Sequence, residues 1–282
     1  MNIIEYKKPE EFLSTLNNKM DTSSEEHDFM LGLVHMLIQD QSHYGNNPFL
    51  ATVEEHNQVK LAAFMTPPWP ILLSAEKTPD KTLCSALVEH LMKKQISVSG
   101  VNAKKNLSEL FAHQWCLKNN YKLNVKMEMK FFVLKQVRPI EPISGFLLKA
   151  DKTHRYLILD WAQQFNREVR LDENETYIES HVDYTLKKGN AFLWIDTKPV
   201  CMTFRERPHK HGVSLGYVYT PPQLRHQGYA TNCVAHVSQY SLDEGFTHCT
   251  LFTDVANPIS NSIYQKIGYR YLCDYTYYTF IG

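Results

Sequence analysis

Residues 213–268 constrain this chain more than any other stretch. The block opens on a strand-like run, Val213-Ser214-Leu215-Gly216-Tyr217-Val218-Tyr219-Thr220, which Pro221 and Pro222 stop. Next comes Arg225-His226-Gln227-Gly228-Tyr229-Ala230-Thr231, which runs straight into a helical pattern. Ala230, Cys233, Val234, Val237 and Tyr240 recur at helical spacing, and Gly245 stands where that helix should end. Residues 247–253 read as a second strand, and Asn257-Pro258 opens a second helix. The order strand, glycine-containing loop, helix, strand, helix predicts an α/β unit.

Such a loop has a physical use. The first turn of a helix leaves backbone N–H groups without partners and carries partial positive charge. A glycine there lets a phosphate approach the backbone closely, so the turn can cradle a pyrophosphate. Arg225 would add a charge-assisted hydrogen bond to the same anion. One glycine and one arginine alone favour a plain strand-to-helix turn whose glycine only relieves strain, so the surrounding block has to decide.

That block has a family likeness. Arg225-x-x-Gly228-x-Ala230, placed after a strand ending Tyr-Val-Tyr-Thr-Pro-Pro and before an amphipathic helix, resembles the first signature of the GNAT family, the acetyl-coenzyme A-dependent N-acetyltransferases. Asn257-Pro258, followed by Ile263-Tyr264-Gln265-Lys266-Ile267-Gly268-Tyr269, is similar to the family's second signature. The resemblance covers roughly residues 145–282 and is specific through about 213–270. It implies that Arg225, His226, Gln227, Gly228, Tyr229, Ala230 and Thr231 hold acetyl-coenzyme A. Val218, Tyr219 and Thr220 would offer an open strand edge to the pantetheine amides, much as to a peptide, and Asn257 a further hydrogen bond.

Read without the resemblance, Asn257 before Pro258 is a helix cap, and Tyr264 is a half-buried tyrosine beside Ile263 and Ile267. The resemblance makes Tyr264 the group that protonates the departing coenzyme A thiolate. The chemistry suits a phenol, with a pKa of about 10 against about 8.5 for a thiol. The implied activity is direct transfer of acetyl to a primary amine. Two alternatives stay open: a coenzyme A-binding sensor without turnover, and transfer of a larger acyl or aminoacyl group.

Bulk properties narrow the partners. Lys plus Arg and Asp plus Glu balance at 30 each, which supplies no general grip on nucleic acid or an anionic membrane surface. No run approaches the length of a spanning helix, and the N-terminus lacks a signal-peptide core. Six cysteines are scattered without a C-x-x-C pair, the pattern of reduced, buried thiols in a cytoplasmic protein. His209-Lys210-His211 lacks the further ligands that zinc needs, and no metal is expected.

At 282 residues the chain has room for two domains. Helical patterns start at Pro9 and near Phe29, with a break at Gly45-Asn46-Asn47-Pro48. Strands are expected at 49–54, 59–66, 71–74, 96–100 and 127–134, and helices at about 79–94 and 107–117. This order parallels the C-terminal half. Setting Val101 against Val255 places Leu110 opposite Tyr264 and loop 76–81 opposite loop 225–230. Residues 1–138 thus read as a degenerate copy of the domain, 139–145 as a linker and 146–282 as the signature-bearing domain. The resemblance implies that each is a mixed, largely antiparallel sheet flanked by helices. In the second copy, helices are expected over 156–165 and 175–188 and a hairpin over 191–196 and 199–206. The aromatic tail from Tyr269 to Phe280 is expected to complete the C-terminal sheet. The general base stays open among Glu206, Asp196, Asp183 and Asp254.

Overall fold

The computed structural model describes residues 1–40, 47–77 and 80–282, apart from the side chain of Ile259. The chain forms two compact units. The first takes residues 1–131 together with 253–256 and 272–282, and the second takes 132–252 and 257–271.

The first unit begins β1 (Asn2–Glu5), α1 (Pro9–Lys19), α2 (Asp28–Gln39), β2 (Phe49–Glu55), β3 (Gln58–Met65) and β4 (Ile71–Ser74). It continues α3 (Lys81–Lys93), β5 (Gly100–Lys104), α4 (Lys105–Asn119) and β6 (Lys122–Leu134). The second repeats the order: β7 (Phe146–Lys149), α5 (Arg155–Val169), α6 (Glu175–Lys187), β8 (Ala191–Asp196), β9 (Lys198–Glu206) and β10 (Gly212–Tyr219). Then come α7 (Tyr229–Asp243), β11 (His248–Asp254), α8 (Pro258–Ile267) and β12 (Arg270–Ile281). Strand neighbours run β1-β2-β3-β4-β5-β12-β6 in the first unit and β11-β10-β9-β8-β7 in the second. Pairing is antiparallel along most of both sheets, with parallel pairs at β4/β5 and β10/β11. This is the mixed sheet with flanking helices that the sequence led us to expect.

Helices cover both faces, which is why the inner strands read as unbroken apolar runs. In β8, Phe192 and Trp194 join the core under α7 and α8, while Ala191 and Leu193 join the core under α5 and α6. In the first unit, Ala51 and Val53 pack with α3 and α4, and Leu50 packs with α1 and α2. Among the described residues no helix is long and apolar enough to cross a membrane.

Several expectations need correcting. The aromatic tail does not complete the C-terminal sheet. Residues Tyr275 to Thr279 pair antiparallel with Lys104 to Gly100 in the first unit, where Tyr278 and Phe280 enter the core. The strand expected at 96–100 lies at Gly100–Lys104, because Val101 and Ala103 are the residues the core buries completely. Two four-residue strands, β1 and β7, are too short to show an alternation in sequence. The segment 139–145 is fastened to the second unit. Ile140 and Ile143 pack on its core, Asn232 Nδ2 donates to the Glu141 carbonyl at 3.4 Å, and Trp194 Nε1 donates to the Ser144 carbonyl at 3.0 Å. Residues 45–46 of the expected helix break, and 78–79 of the helix start and of loop 76–81, lie outside the described residues.

Candidate active site

Apart from Asp254, every residue that the sequence assigned to binding or catalysis, or offered as a candidate base, lies in the second unit. The strand β10 sets the geometry. Its parallel pairing with β11 joins Gly212–Leu215 to His248–Leu251. Beyond Leu215 the strand continues to Tyr219, so Gly216 to Tyr219 present backbone groups past the end of that pairing. On the other side, β9 pairs with β10 up to Gly216 opposite Phe204, and the register then shifts before Tyr219 meets Met202. At the shift Tyr217 takes φ +50°, a left-handed conformation that bulky residues rarely adopt.

This bulge re-aims the side chains. In a regular strand residues 215, 217 and 219 would share one face. Here Leu215 and Val218 face the α7/α8 core, while Tyr217 and Tyr219 face α5 and α6. One strand therefore addresses both faces at the point where its pairing with β11 ends.

Pro222–Leu224 makes a single 3₁₀ turn, and the loop then climbs to α7 through two left-handed residues, His226 (φ +63°) and Gly228 (φ +81°). Gly228 is the N-cap, and no side chain caps the first turn. The backbone N–H groups there point outward with the positive end of the helix dipole behind them. His226, Gln227 and Gly228 are exposed, whereas Ala230 and Thr231 are partly buried. Arg225 is turned inward to hold the loop. Its Nε donates to the Thr220 carbonyl at 2.9 Å, and Nη2 donates to Glu168 at 2.6 Å. Tyr229 is buried and donates its hydroxyl to Asp196 at 2.7 Å; Tyr219 donates to Gln164 Oε1 at 2.7 Å.

On α8, Asn257 caps the helix as expected, its Oδ1 accepting from the Ser260 N–H at 3.1 Å. The cap leaves Nδ2 to donate elsewhere. Tyr264, two turns on, is 8% exposed and meets Tyr269 edge to face at 5.9 Å between centroids. Burial, with the neighbouring Cys201 thiol adding to it, pushes its phenol well above the ordinary tyrosine range. The group therefore stays a neutral donor at physiological pH. Its hydroxyl has no hydrogen-bond partner among the described residues. Asn257, Asn261 and Tyr264 recur at helical spacing on one side of α8. The sequence reading passed over Asn261, whose buried Oδ1 accepts no hydrogen bond.

The four base candidates separate. Asp183 is clamped by Arg155 at 2.5 and 3.0 Å, which holds its carboxyl below the usual range. Asp196 accepts from Tyr229, and Asp254 belongs to the first unit, where it accepts from the Ala256 N–H. Glu206 is sealed beneath β10, and His181 Nε2 donates to its Oε1 at 2.9 Å. Glu206 and Glu173 together hold the His181 imidazolium above its usual pKa despite full burial, which by itself lowers it. A fifth carboxylate, Glu173, joins this cluster through Tyr217, whose hydroxyl donates to Glu173 Oε2 at 2.5 Å. No sequence motif marks Glu173. The Asn174 cap, accepting from the Tyr177 N–H at 2.8 Å, fixes where its loop ends and not where the carboxylate points.

Residues 155–269 match the Acetyltransferase (GNAT) family. Among solved structures, a GNAT-family acetyltransferase from Colwellia psychrerythraea superposes with TM-score 0.58 at 14% identity, covering 100% of this chain and 99% of that one. A GCN5-related N-acetyltransferase from Sphaerobacter thermophilus gives TM-score 0.61 at 11% identity, covering 98% and 94%. A tandem GNAT protein from the clavulanic acid biosynthesis pathway gives TM-score 0.59 at 10% identity, covering 99% and 97%. A comparison with curated protein sequences gives no match.

Proposed function

We propose that the second half of the chain, where residues 155–269 match the Acetyltransferase (GNAT) family, binds acetyl-coenzyme A and transfers the acetyl group to a primary amine. The observation that carries this reading is Gly228. It starts α7 in a left-handed conformation with no side-chain cap, and β10 runs on past its pairing with β11. In this reading the pyrophosphate sits on the first-turn N–H groups of α7. The pantetheine amides pair with the backbone of Val218 to Thr220, and Asn257 Nδ2 donates to the same arm. Arg225 acts by shaping the loop through Thr220 and Glu168.

The amine attacks the thioester carbon, the C–N bond forms, and a base takes one proton from nitrogen. The C–S bond then breaks. The departing sulfur gathers negative charge, and the Tyr264 hydroxyl donates to it. Because burial weakens Tyr264 as an acid, the hydrogen bond to the developing thiolate does more than proton release in advance of bond breaking. The test is free-thiol release from acetyl-coenzyme A with and without added primary amines, alongside a calorimetric titration. We expect release that requires the amine, and one coenzyme A bound per chain. Binding without release would make the protein a sensor, and two equivalent sites per chain would overturn the assignment to α7.

A further inference from the structure

We propose that Glu173 is the carboxylate that takes the proton from the attacking amine, with Tyr217 and Asn166 as the residues that position it. The inference rests on the transfer reading above and deepens it.

Glu173 sits in the short loop between α5 and α6, and that loop is built to hold it. Asn166 fixes its backbone from both sides: Nδ2 donates to the Glu173 carbonyl at 3.0 Å, and the Glu173 N–H donates to Oδ1 at 3.1 Å. Arg170 and Asp172, just before it, take left-handed conformations that turn the chain inward. The carboxylate then receives the Tyr217 hydroxyl at 2.5 Å. Tyr217 is the bulge residue next to Gly216, where the pairing of β10 with β11 has just ended. The ring is fixed between Phe204, stacked at 5.0 Å, and Phe165, also at 5.0 Å. Glu173 is thus tied, through one tyrosine, to the stretch of β10 where the thioester lies in the proposed complex.

The surrounding charges favour Glu173 over Glu206. Glu206 is sealed, with its side chain 6% exposed and bonded to His181. Glu173 is only part-buried and can pass a proton to water. The groups that face it are Tyr217 from β10, Tyr177 and His181 from α6, Glu206 from the end of β9, and Arg207 just beyond. Burial is the largest influence and holds its carboxyl above the ordinary range. The Tyr217 hydrogen bond and the charges of His181 and Arg207 pull the other way, and Glu206 adds to the rise. A carboxylate raised toward neutrality is a stronger base for an ammonium-like nitrogen than a solvated one. The proton balance closes. One N–H proton passes to Glu173, directly or across a water, and leaves to solvent, while the sulfur is reprotonated through Tyr264.

The experiment follows thiol release from acetyl-coenzyme A with butylamine, lysine amide and spermidine across neutral pH, in wild type, Glu173→Gln and Tyr217→Phe. Gln keeps the shape and still accepts from Tyr217. We expect Glu173→Gln to lower turnover by about a hundredfold near pH 7, with the deficit shrinking as pH rises. Calorimetry on that variant should show coenzyme A affinity close to wild type. Tyr217→Phe removes a hydrogen bond that favours the ionised carboxylate, so it should lower neutral-pH turnover and move the acid limb of the profile to higher pH. Wild-type-like turnover in Glu173→Gln, or an acid limb that Tyr217→Phe leaves in place, overturns the assignment and spares the transfer reading. No release by wild type with any of the amines overturns both.

Discussion

The helix starts at α3 and α7 occupy the same place in the order of the two units, and they spend their backbone donors differently. At α3 the N-cap is Asp80, whose carboxylate accepts from the Thr82 N–H at 2.9 Å and the Leu83 N–H at 3.1 Å. At α7 the N-cap is Gly228, which has no side chain to offer. A helix start can satisfy its first-turn donors internally, at a gain of about 1 kcal/mol, or leave them for an anionic ligand. It cannot do both. The strands before these helices differ in the same sense. β4 stops after four residues, and its last, Ser74, bonds to His27 at 2.8 Å. β10 has eight residues and a bulge that leaves backbone free beyond its pairing. The first unit closes on itself where the second stays open.

The largest effect should come from making the second unit resemble the first. Gly228→Asp places a carboxylate where the pyrophosphate is proposed to sit. Two like charges about 4 Å apart near a surface repel by about 4 kcal/mol, so coenzyme A affinity should fall roughly a thousandfold with the fold intact. Calorimetry giving wild-type affinity would break the comparison. Next is Tyr264→Phe, which should cut turnover by tenfold to a thousandfold, with about a hundredfold as the central value. Its affinity for coenzyme A should hardly move, because the hydroxyl acts on charge that develops only during reaction. Leu110→Met, at the matching position of the first unit, should leave turnover unchanged; a matching loss there would show that the halves are not functionally distinct. The smallest effect is Asp80→Ala, which should lower stability by about 1 kcal/mol in denaturant melts. A midpoint that does not shift would remove the self-capping argument.

What could be read from sequence was local. Pro221 and Pro222 end β10, Gly228 starts α7, and Asn257 caps α8, each through signals carried within a few residues. Continuous apolar runs placed most inner strands, because these have a core on both faces. What could not be read depends on partners far along the chain. Arg225 meets Glu168 at a separation of 57 residues, and Tyr217 meets Glu173 at 44. The Tyr217 bulge was hidden for a different reason. The apolar and aromatic residues of β10 suit either face, so their pattern does not show that the side-chain order switches after Leu215. The tail was misplaced because a strand's partner is a matter of topology, and composition is silent about it.

That tail has a consequence for how the chain is made. Strand β12 lies between β5 and β6, so these two gain their shared neighbour only when residues 272–282 have been synthesised. Roughly 140 residues separate the end of β6 from that point, a wait of about 10 to 30 seconds at ordinary translation rates. During it, the first unit exposes strand edges that other nascent chains can pair with. The earliest-made half of this chain is completed by its latest-made strand.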